Sequence, residues 1–190
     1  DIMIDSMLIN LNMMSEAVRL GVKRYFFSSS ACVYRNQAIG EDRLTEEDSY
    51  PAFPDNEYGW EKLYTERALM AFERNKDFQV RIARFQNCFG PEGTWEGGRE
   101  KAPAAICRKI AEAGVYDSID VWGDGTAVRN FTYVDDMCDG IYQLTQSDLS
   151  GPVNIGTDDL MTVKELVEMV ARIAGKKIEL NYVDGPVGVL

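Results

Sequence analysis

The chain has 190 residues, 20 lysines and arginines against 31 aspartates and glutamates, no histidine, and a formal net charge of -11. Without histidine, a Ser-His-Asp triad, a His-ligated zinc and a histidine general base are excluded. The acidic balance argues against nucleic acid or an anionic membrane as partner, while 45% hydrophobic residues are enough for a packed core. An anionic small ligand would need a local cluster of basic groups. The cysteines at 32, 88, 107 and 138 contain no C-x-x-C pair, so three of them are expected to be reduced, mostly buried thiols. No stretch approaches the ~18 apolar residues of a membrane span, and Asp1-Ile2-Met3-Ile4-Asp5 lacks the basic start of a signal peptide. A soluble, cytoplasmic protein is expected.

Ile4, Leu8, Leu11, Met14 and Val18 recur at helical spacing, and Gly21 closes that helix. Val22 to Phe27 reads as a strand running into Ser28-Ser29-Ser30, and a polar loop covers about residues 35–56. Asp55 or Asn56 is expected to cap a helix from Tyr58 to Asn75, with Trp60, Leu63, Tyr64, Ala68 and Phe72 as its apolar stripe. A strand from Phe78 to Phe85 ends in Asn87-Cys88-Phe89-Gly90-Pro91, and Gly93 to Gly98 is a glycine-bearing loop. A helix over Pro103–Ala113, a strand over Ile119–Trp122 and a turn at Gly123-Asp124-Gly125 follow. Asp135 or Asp136 is expected to cap a helix reaching Leu144, and Val153 to Gly156 is a strand with its exit turn. Thr162-Val163-Lys164-Glu165 is a capping box for a last helix that Gly175 closes.

This alternation implies an α/β protein with a mostly parallel sheet. The chain opens on a helix that belongs in the middle of a doubly wound fold, and the glycine-rich dinucleotide turn of such folds is absent from it. Gly123-Asp124-Gly125 is a near miss, with Val128 where the third glycine is needed. The chain is therefore expected to be the C-terminal part of a Rossmann-type parallel-sheet domain plus a smaller α/β domain. About 90 residues would form the missing first half, at about 30 per βαβ unit.

Tyr58 and Lys62 stand at i and i+4 on one helix face. A cation beside a phenol favours the phenolate, and such a phenol can take the proton of a sugar alcohol while hydride leaves its carbon. An ordinary Tyr/Lys pair on a solvated face has the same spacing, so context decides. Ser28 to Tyr34 lies at a strand end, where α/β sheets bind ligands.

The serine run, Tyr58-x-x-x-Lys62 and Arg84-Phe85-Gln86-Asn87-Cys88-Phe89-Gly90-Pro91 together resemble the extended short-chain dehydrogenase/reductases that act on nucleotide sugars. The resemblance continues through Trp122 to Gly125, Arg129 to Asp136 and Val153 to Gly156. Cys32 stands where dehydratases of that family carry Glu and 4-epimerases usually Thr. The run Gly93-Thr94-Trp95-Glu96-Gly97-Gly98-Arg99-Glu100-Lys101-Ala102-Pro103 is similar to the loop of the GDP-mannose 3,5-epimerases, which pair a Cys with a Lys.

The resemblance implies NAD as cofactor, a GDP-mannose-like nucleotide sugar as substrate, and a homodimer, with no nucleic acid, membrane or metal. Ser30, Cys32, Tyr58, Lys62 and Lys101 would be catalytic: Tyr58, Lys62 and Ser30 the oxidising set, Cys32 and Lys101 the proton-exchanging groups at C3 and C5. Tyr58, Lys62 and Phe85 would touch the cofactor. Ser30, Ala31, Cys32, Asn87, Glu100, Lys101, Ala102, Lys109 and Arg129 would touch the substrate. Residues 1–90 and 130–157 would form the partial NAD-binding domain, and 91–129 and 158–190 the nucleotide-sugar domain. Ala127 and Val128 replace polar Gln and Thr of the plant-type pattern, and Asp5-Ser6 stands where relatives often have Asn-Asn. Another nucleotide-sugar epimerase, a 4-reductase, or a non-catalytic nucleotide-sugar-binding protein remain open on these residues.

Overall fold

A computed structural model describes residues 2–36 and 43–184, apart from the side chain of residue 2. Part of the polar loop expected at 35–56 lies outside the described residues. The chain divides into two compact units, Asp1–Gln86 with Asp136–Ile155, and Asn87–Asp135 with Gly156–Leu190.

The first unit opens with α1 (Ile2–Arg19). Gly21, at φ 72°, ends it: the Gly21 amide donates to the Val18 carbonyl and the Val22 amide to that of Ala17. A left-handed residue is needed to turn both amides back onto the last turn, and glycine adopts it without a Cβ clash. Strand β1 (Arg24–Ser30) then includes the whole serine run, followed by a 3-10 turn at Ala31–Val33 and another at Glu46–Ser49. Helix α2 (Glu57–Asn75) is capped by Asn56, not Asp55, whose side chain accepts from the Gly59 amide. Strand β2 (Gln79–Phe85) is buried along most of its length. Its neighbours are β1 and, on the other side, β7 (Pro152–Ile155), giving a parallel sheet of order β1-β2-β7 in which Ser30, Phe85 and Ile155 lie at the same end.

Met14, Ala17, Phe27, Leu69, Phe78, Val80 and Ile82 form the main core of this unit. The expected stripes are only partly covered: Met14 and Leu63 are buried, whereas Ile4, Leu8, Trp60 and Tyr64 are exposed. Periodicity marks an apolar face, but how much of that face finds a partner depends on what packs there.

In the second unit, β3 (Cys88–Phe89) pairs parallel with β6 (Thr132–Tyr133), and β4 (Ser118–Trp122) with β9 (Glu179–Val183). Strand β5 (Val128–Asn130) pairs antiparallel with β8 (Leu160–Thr162). Helix α3 (Ala102–Glu112) and α5 (Val163–Ile173) share a core of Ile106, Ile110, Ile119, Val121, Leu166, Val167 and Ala171. The Thr162–Glu165 capping box is reciprocal, each side chain bonding the other's backbone amide. Helix α4 (Val134–Gln146), which belongs to the first unit from Asp136 on, starts directly out of β6, so Asp135 and Asp136 lie within its first turn and do not cap it. There their charges still oppose the helix dipole favourably.

The thiol expectation needs correction. Cys107 and Cys138 are exposed and Cys88 half-buried, although all four are free. Each exposed one lies on an amphipathic helix away from its buried positions, such as Ile106 and Ile110 beside Cys107.

Arg84 and Glu66, 1% and 0% exposed, form a two-pronged ion pair inside the first unit, with Nε–Oε1 at 3.0 Å and Nη2–Oε2 at 2.7 Å. Removing one partner of such a pair leaves the other charge buried and unmatched, a loss of about 3–5 kcal/mol. Glu66→Gln is therefore expected to lower stability by that order in urea denaturation. A midpoint within experimental error of the parent's would contradict the assignment.

Candidate active site

The carboxyl end of β1 organises the site. Ser30 leaves the strand in extended conformation and its Oγ accepts from the Cys32 amide at 3.2 Å. The turn closes when the Tyr34 amide donates to the Ala31 carbonyl at 3.1 Å. This puts half-buried Ala31 and Cys32 immediately beyond the strand end, next to Phe85, which is in register with Ser30.

Helix α2 approaches the same place by its first turn. A Cβ on Gly59 would stand 2.0 Å from the Cys32 carbonyl oxygen and 2.9 Å from Pro54 Cβ. Only glycine lets the helix backbone come this close to the Cys32 turn. Tyr58 precedes it, 43% exposed. Lys62, one turn on, donates from Nζ to the Ser28 carbonyl at 3.0 Å and lies 4.8 Å from the Phe27 ring centroid and 5.5 Å from that of Tyr58.

The electrostatics differ from the sequence expectation. Burial pushes the Tyr58 phenol up, the adjacent Cys32 adds to this, the Ser30 hydroxyl pulls it back, and Glu61 raises it further. Burial likewise pushes the Lys62 ammonium down, against the opposing charge of Glu61. Lys62 does not lower the phenol here, because its ammonium sits over ring faces and on a backbone carbonyl instead of against the phenol oxygen. The donor set suits a nicotinamide nucleotide: an exposed phenol, and an ammonium with one bonded acceptor out of three possible, at the carboxyl ends of parallel strands. Among the described residues, no group of His, Cys, Asp and Glu could hold a metal ion.

In the second unit, Glu100, Lys101 and Ala102 mark the start of α3. Lys101 is the exposed residue before the first helical turn, and its carbonyl accepts from the Ala105 amide. Glu100 Oε2 accepts from the Gly98 amide at 2.7 Å, and Arg108 bonds the Trp95 carbonyl from Nε at 3.1 Å while approaching Glu100 at 3.8 Å. Hydrogen bonds from its own amide and that of Gly98, with Arg108 behind them, hold the Glu100 carboxyl below the usual range. Glu100 is thus engaged inside its own loop. Lys109 Nζ donates to the Asp120 carbonyl at 2.7 Å, Arg129 Nη1 to that of Val128 at 2.7 Å, and the Asn87 carbonyl accepts from the Thr132 amide at 2.7 Å.

Three contributions are not legible as site residues in the sequence: Gly59, whose missing side chain admits Cys32; Arg108, which pins the glycine loop to α3; and the buried group around Arg84. Gly59 alone left a signal, as the small residue inside Tyr58-Gly59-Trp60-Glu61-Lys62.

Residues 1–156 match the model of the NAD dependent epimerase/dehydratase family. GDP-mannose 3,5-epimerase of Arabidopsis thaliana is 42% identical over 99% of this chain and 50% of its own length. The chain thus spans about half the length of the curated relatives it matches. The UDP-glucose 4-epimerase of Thermotoga maritima, solved with UDP-glucose, superposes with a TM-score of 0.83 at 25% identity, covering 94% of this chain and 56% of that one. That of Thermus thermophilus, solved with NAD, gives 0.77 at 25% identity over 95% and 58%.

Gly59→Ala separates local propensity from packing. Alanine is favoured over glycine in a helix by about 1 kcal/mol, but its Cβ would lie 2.0 Å from a backbone oxygen, and overpacking of this kind costs about 1–3 kcal/mol. The clash should win, lowering the denaturation midpoint. A raised midpoint would show that the Cys32 turn is not held against α2.

Proposed function

The chain belongs to the NAD-dependent epimerase/dehydratase family, and on that basis we propose that the protein is an NAD-dependent nucleotide-sugar epimerase of the GDP-mannose 3,5-epimerase kind. The observation that carries this reading is Cys32 on a turn that packs against Gly59, the residue after Tyr58, with its amide held by Ser30. Residues 1–90 and 130–157 are taken as the cofactor-binding part, and 91–129 and 158–190 as the nucleotide-sugar part.

NAD, when bound, supplies the acceptor for the C4 hydride and returns it at the end. Tyr58 takes the C4 hydroxyl proton as the ketone forms, with Lys62 and Phe85 helping to hold the cofactor and Ser30 the hydroxyl. A C4 ketone acidifies the hydrogens at C3 and C5, because the electron pair left behind delocalises into an enolate. Cys32 takes or returns such a proton on one face of the sugar, and Lys101 does the same on the other. Tyr58 finally returns its proton to the C4 oxygen, so that the cycle inverts carbon configuration without net oxidation. Ala31, Asn87, Glu100, Ala102, Lys109 and Arg129 are assigned to the nucleotide sugar. Lys109 and Arg129 supply the local positive charge that a diphosphate requires on a protein of net charge -11.

A cytoplasmic location is supported by four free cysteines, and no helix among the described residues is long and apolar enough to cross a membrane. A homodimer is supported by the exposed pairs Ile4/Leu8 on α1 and Trp60/Tyr64 on α2.

Two outcomes follow. In heavy water, Cys32→Ser should incorporate deuterium at C3 and C5 of GDP-mannose at least ~100-fold more slowly, the usual worth of a positioned acid-base group. Tyr58→Phe should stop incorporation altogether, because no ketone forms. Wild-type incorporation by Cys32→Ser, read by mass spectrometry and NMR, would make the thiol structural and remove the main support for this reading. In sedimentation, the protein should be dimeric at micromolar concentration, and Leu8→Glu with Trp60→Glu should yield monomers; a monomeric parent would rule out the dimer.

A further inference from the structure

Cys32 sits in a turn of three residues with few bonds of its own, yet proton transfer to a sugar carbon needs its sulfur placed to within a fraction of an ångström. The front of the turn is held by Ser30. At the rear stands Tyr34, 8% exposed, whose hydroxyl accepts from Arg84 Nη1 at 2.9 Å and donates to Asn154 Oδ1 at 2.7 Å. The Arg84 guanidinium also lies 5.0 Å from the Tyr34 ring centroid. Burial pushes the Tyr34 hydroxyl up, outweighing the opposite influence of Arg84, so it stays a donor toward Asn154.

Arg84 in turn is fixed by Glu66 on α2, and Glu66 accepts from Ser29 Oγ on β1 at 2.5 Å. Lys62 lies one turn before Glu66 on the same helix and is bonded to the carbonyl of Ser28. Tyr58 and Lys62 are thus carried by α2 and β1 directly, through bonds that do not involve Tyr34. The Cys32 turn packs on α2 through Val33 and Tyr34 against Leu63 and through its close approach to Gly59, and its hydrogen-bonded tie to the Arg84–Glu66 anchor is the Tyr34 hydroxyl.

We propose that Tyr34 is a positioning residue for proton exchange, holding the Cys32 turn in register with α2 through its hydroxyl on Arg84 and Asn154. The inference rests on the function proposed above. It separates two steps of that reaction: the hydroxyl of Tyr34 serves the thiol's placement but not oxidation at C4.

The test is Tyr34→Phe in the whole protein, which deletes one oxygen and leaves the ring. Two rates are read with GDP-mannose: transient absorbance of reduced NAD, reporting oxidation at C4, and deuterium incorporation at C3 and C5 in heavy water. Incorporation should fall about ten-fold while the absorbance transient stays within two-fold of the parent. A merely structural role would lower the melting temperature and move both rates together, and that parallel change overturns the inference, as does an unchanged incorporation rate. If Tyr34→Phe does not fold, Asn154→Ala carries the test: Arg84 still holds the hydroxyl, so a smaller loss confined to deuterium incorporation is expected, and parallel losses or none overturn it. A parent that incorporates no deuterium from heavy water sinks the proposed function itself, an outcome distinct from a parent and a Tyr34→Phe variant that exchange equally.

Discussion

Arg84 carries its charge into the interior of the parallel sheet, where an unmatched ion would cost several kcal/mol. Every contact around it serves to make that charge tolerable. Glu66 takes two of its N–H groups, Ser49 Oγ and the Glu46 carbonyl take others, and the Tyr34 hydroxyl completes the set. These partners come from α2, the loop before α2 and the segment after β1, while Ser29 of β1 is joined through Glu66, and Asn154 of β7 through Tyr34 and through its amide to Glu46 Oε1. A network satisfied this fully specifies one arrangement, because slipping any element would strand a buried charge.

That arrangement brings Cys32, Tyr58 and Lys62 to one end of the three strands, largely through backbone contacts. The Cys32 amide is held by Ser30 Oγ, Lys62 by the carbonyl of Ser28, and the first turn of α2 lies against the Cys32 carbonyl because Gly59 has no side chain. Burial favours the neutral forms of both Tyr58 and Lys62, raising one and lowering the other.

The second unit solves a different problem. Its loop from Gly93 to Glu100 needs φ near 89° and 82° at Gly97 and Gly98, and Arg108 and Glu100 fasten it to α3 from opposite ends. Lys101 is thereby presented at a helix start, exposed and without a capping bond of its own. The Asp120 and Val128 carbonyls hold the side chains of Lys109 and Arg129 in place on this unit.

The sequence by itself determined what is settled within a few residues: the order of helices and longer strands, the reversal at Gly21, the reciprocal cap of Thr162 and Glu165, and the i,i+4 relation of Tyr58 and Lys62. Each depends on bonds or spacings inside one turn, and the motifs along the chain pointed to the family for the same reason. Tertiary structure alone decided the rest. The short strands β3, β5, β6, β8 and β9 exist only through partners distant in the chain, so their own two to five residues carry little signal. Which half of an apolar stripe is covered, as with Met14 against Ile4, depends on the neighbouring elements. Arg84 could not be matched to Glu66 or Tyr34 from their positions, and the sign of the Tyr58 shift reversed because burial, which no sequence spacing encodes, raises the phenol while the Lys62 ammonium sits on the Ser28 carbonyl and over the ring faces.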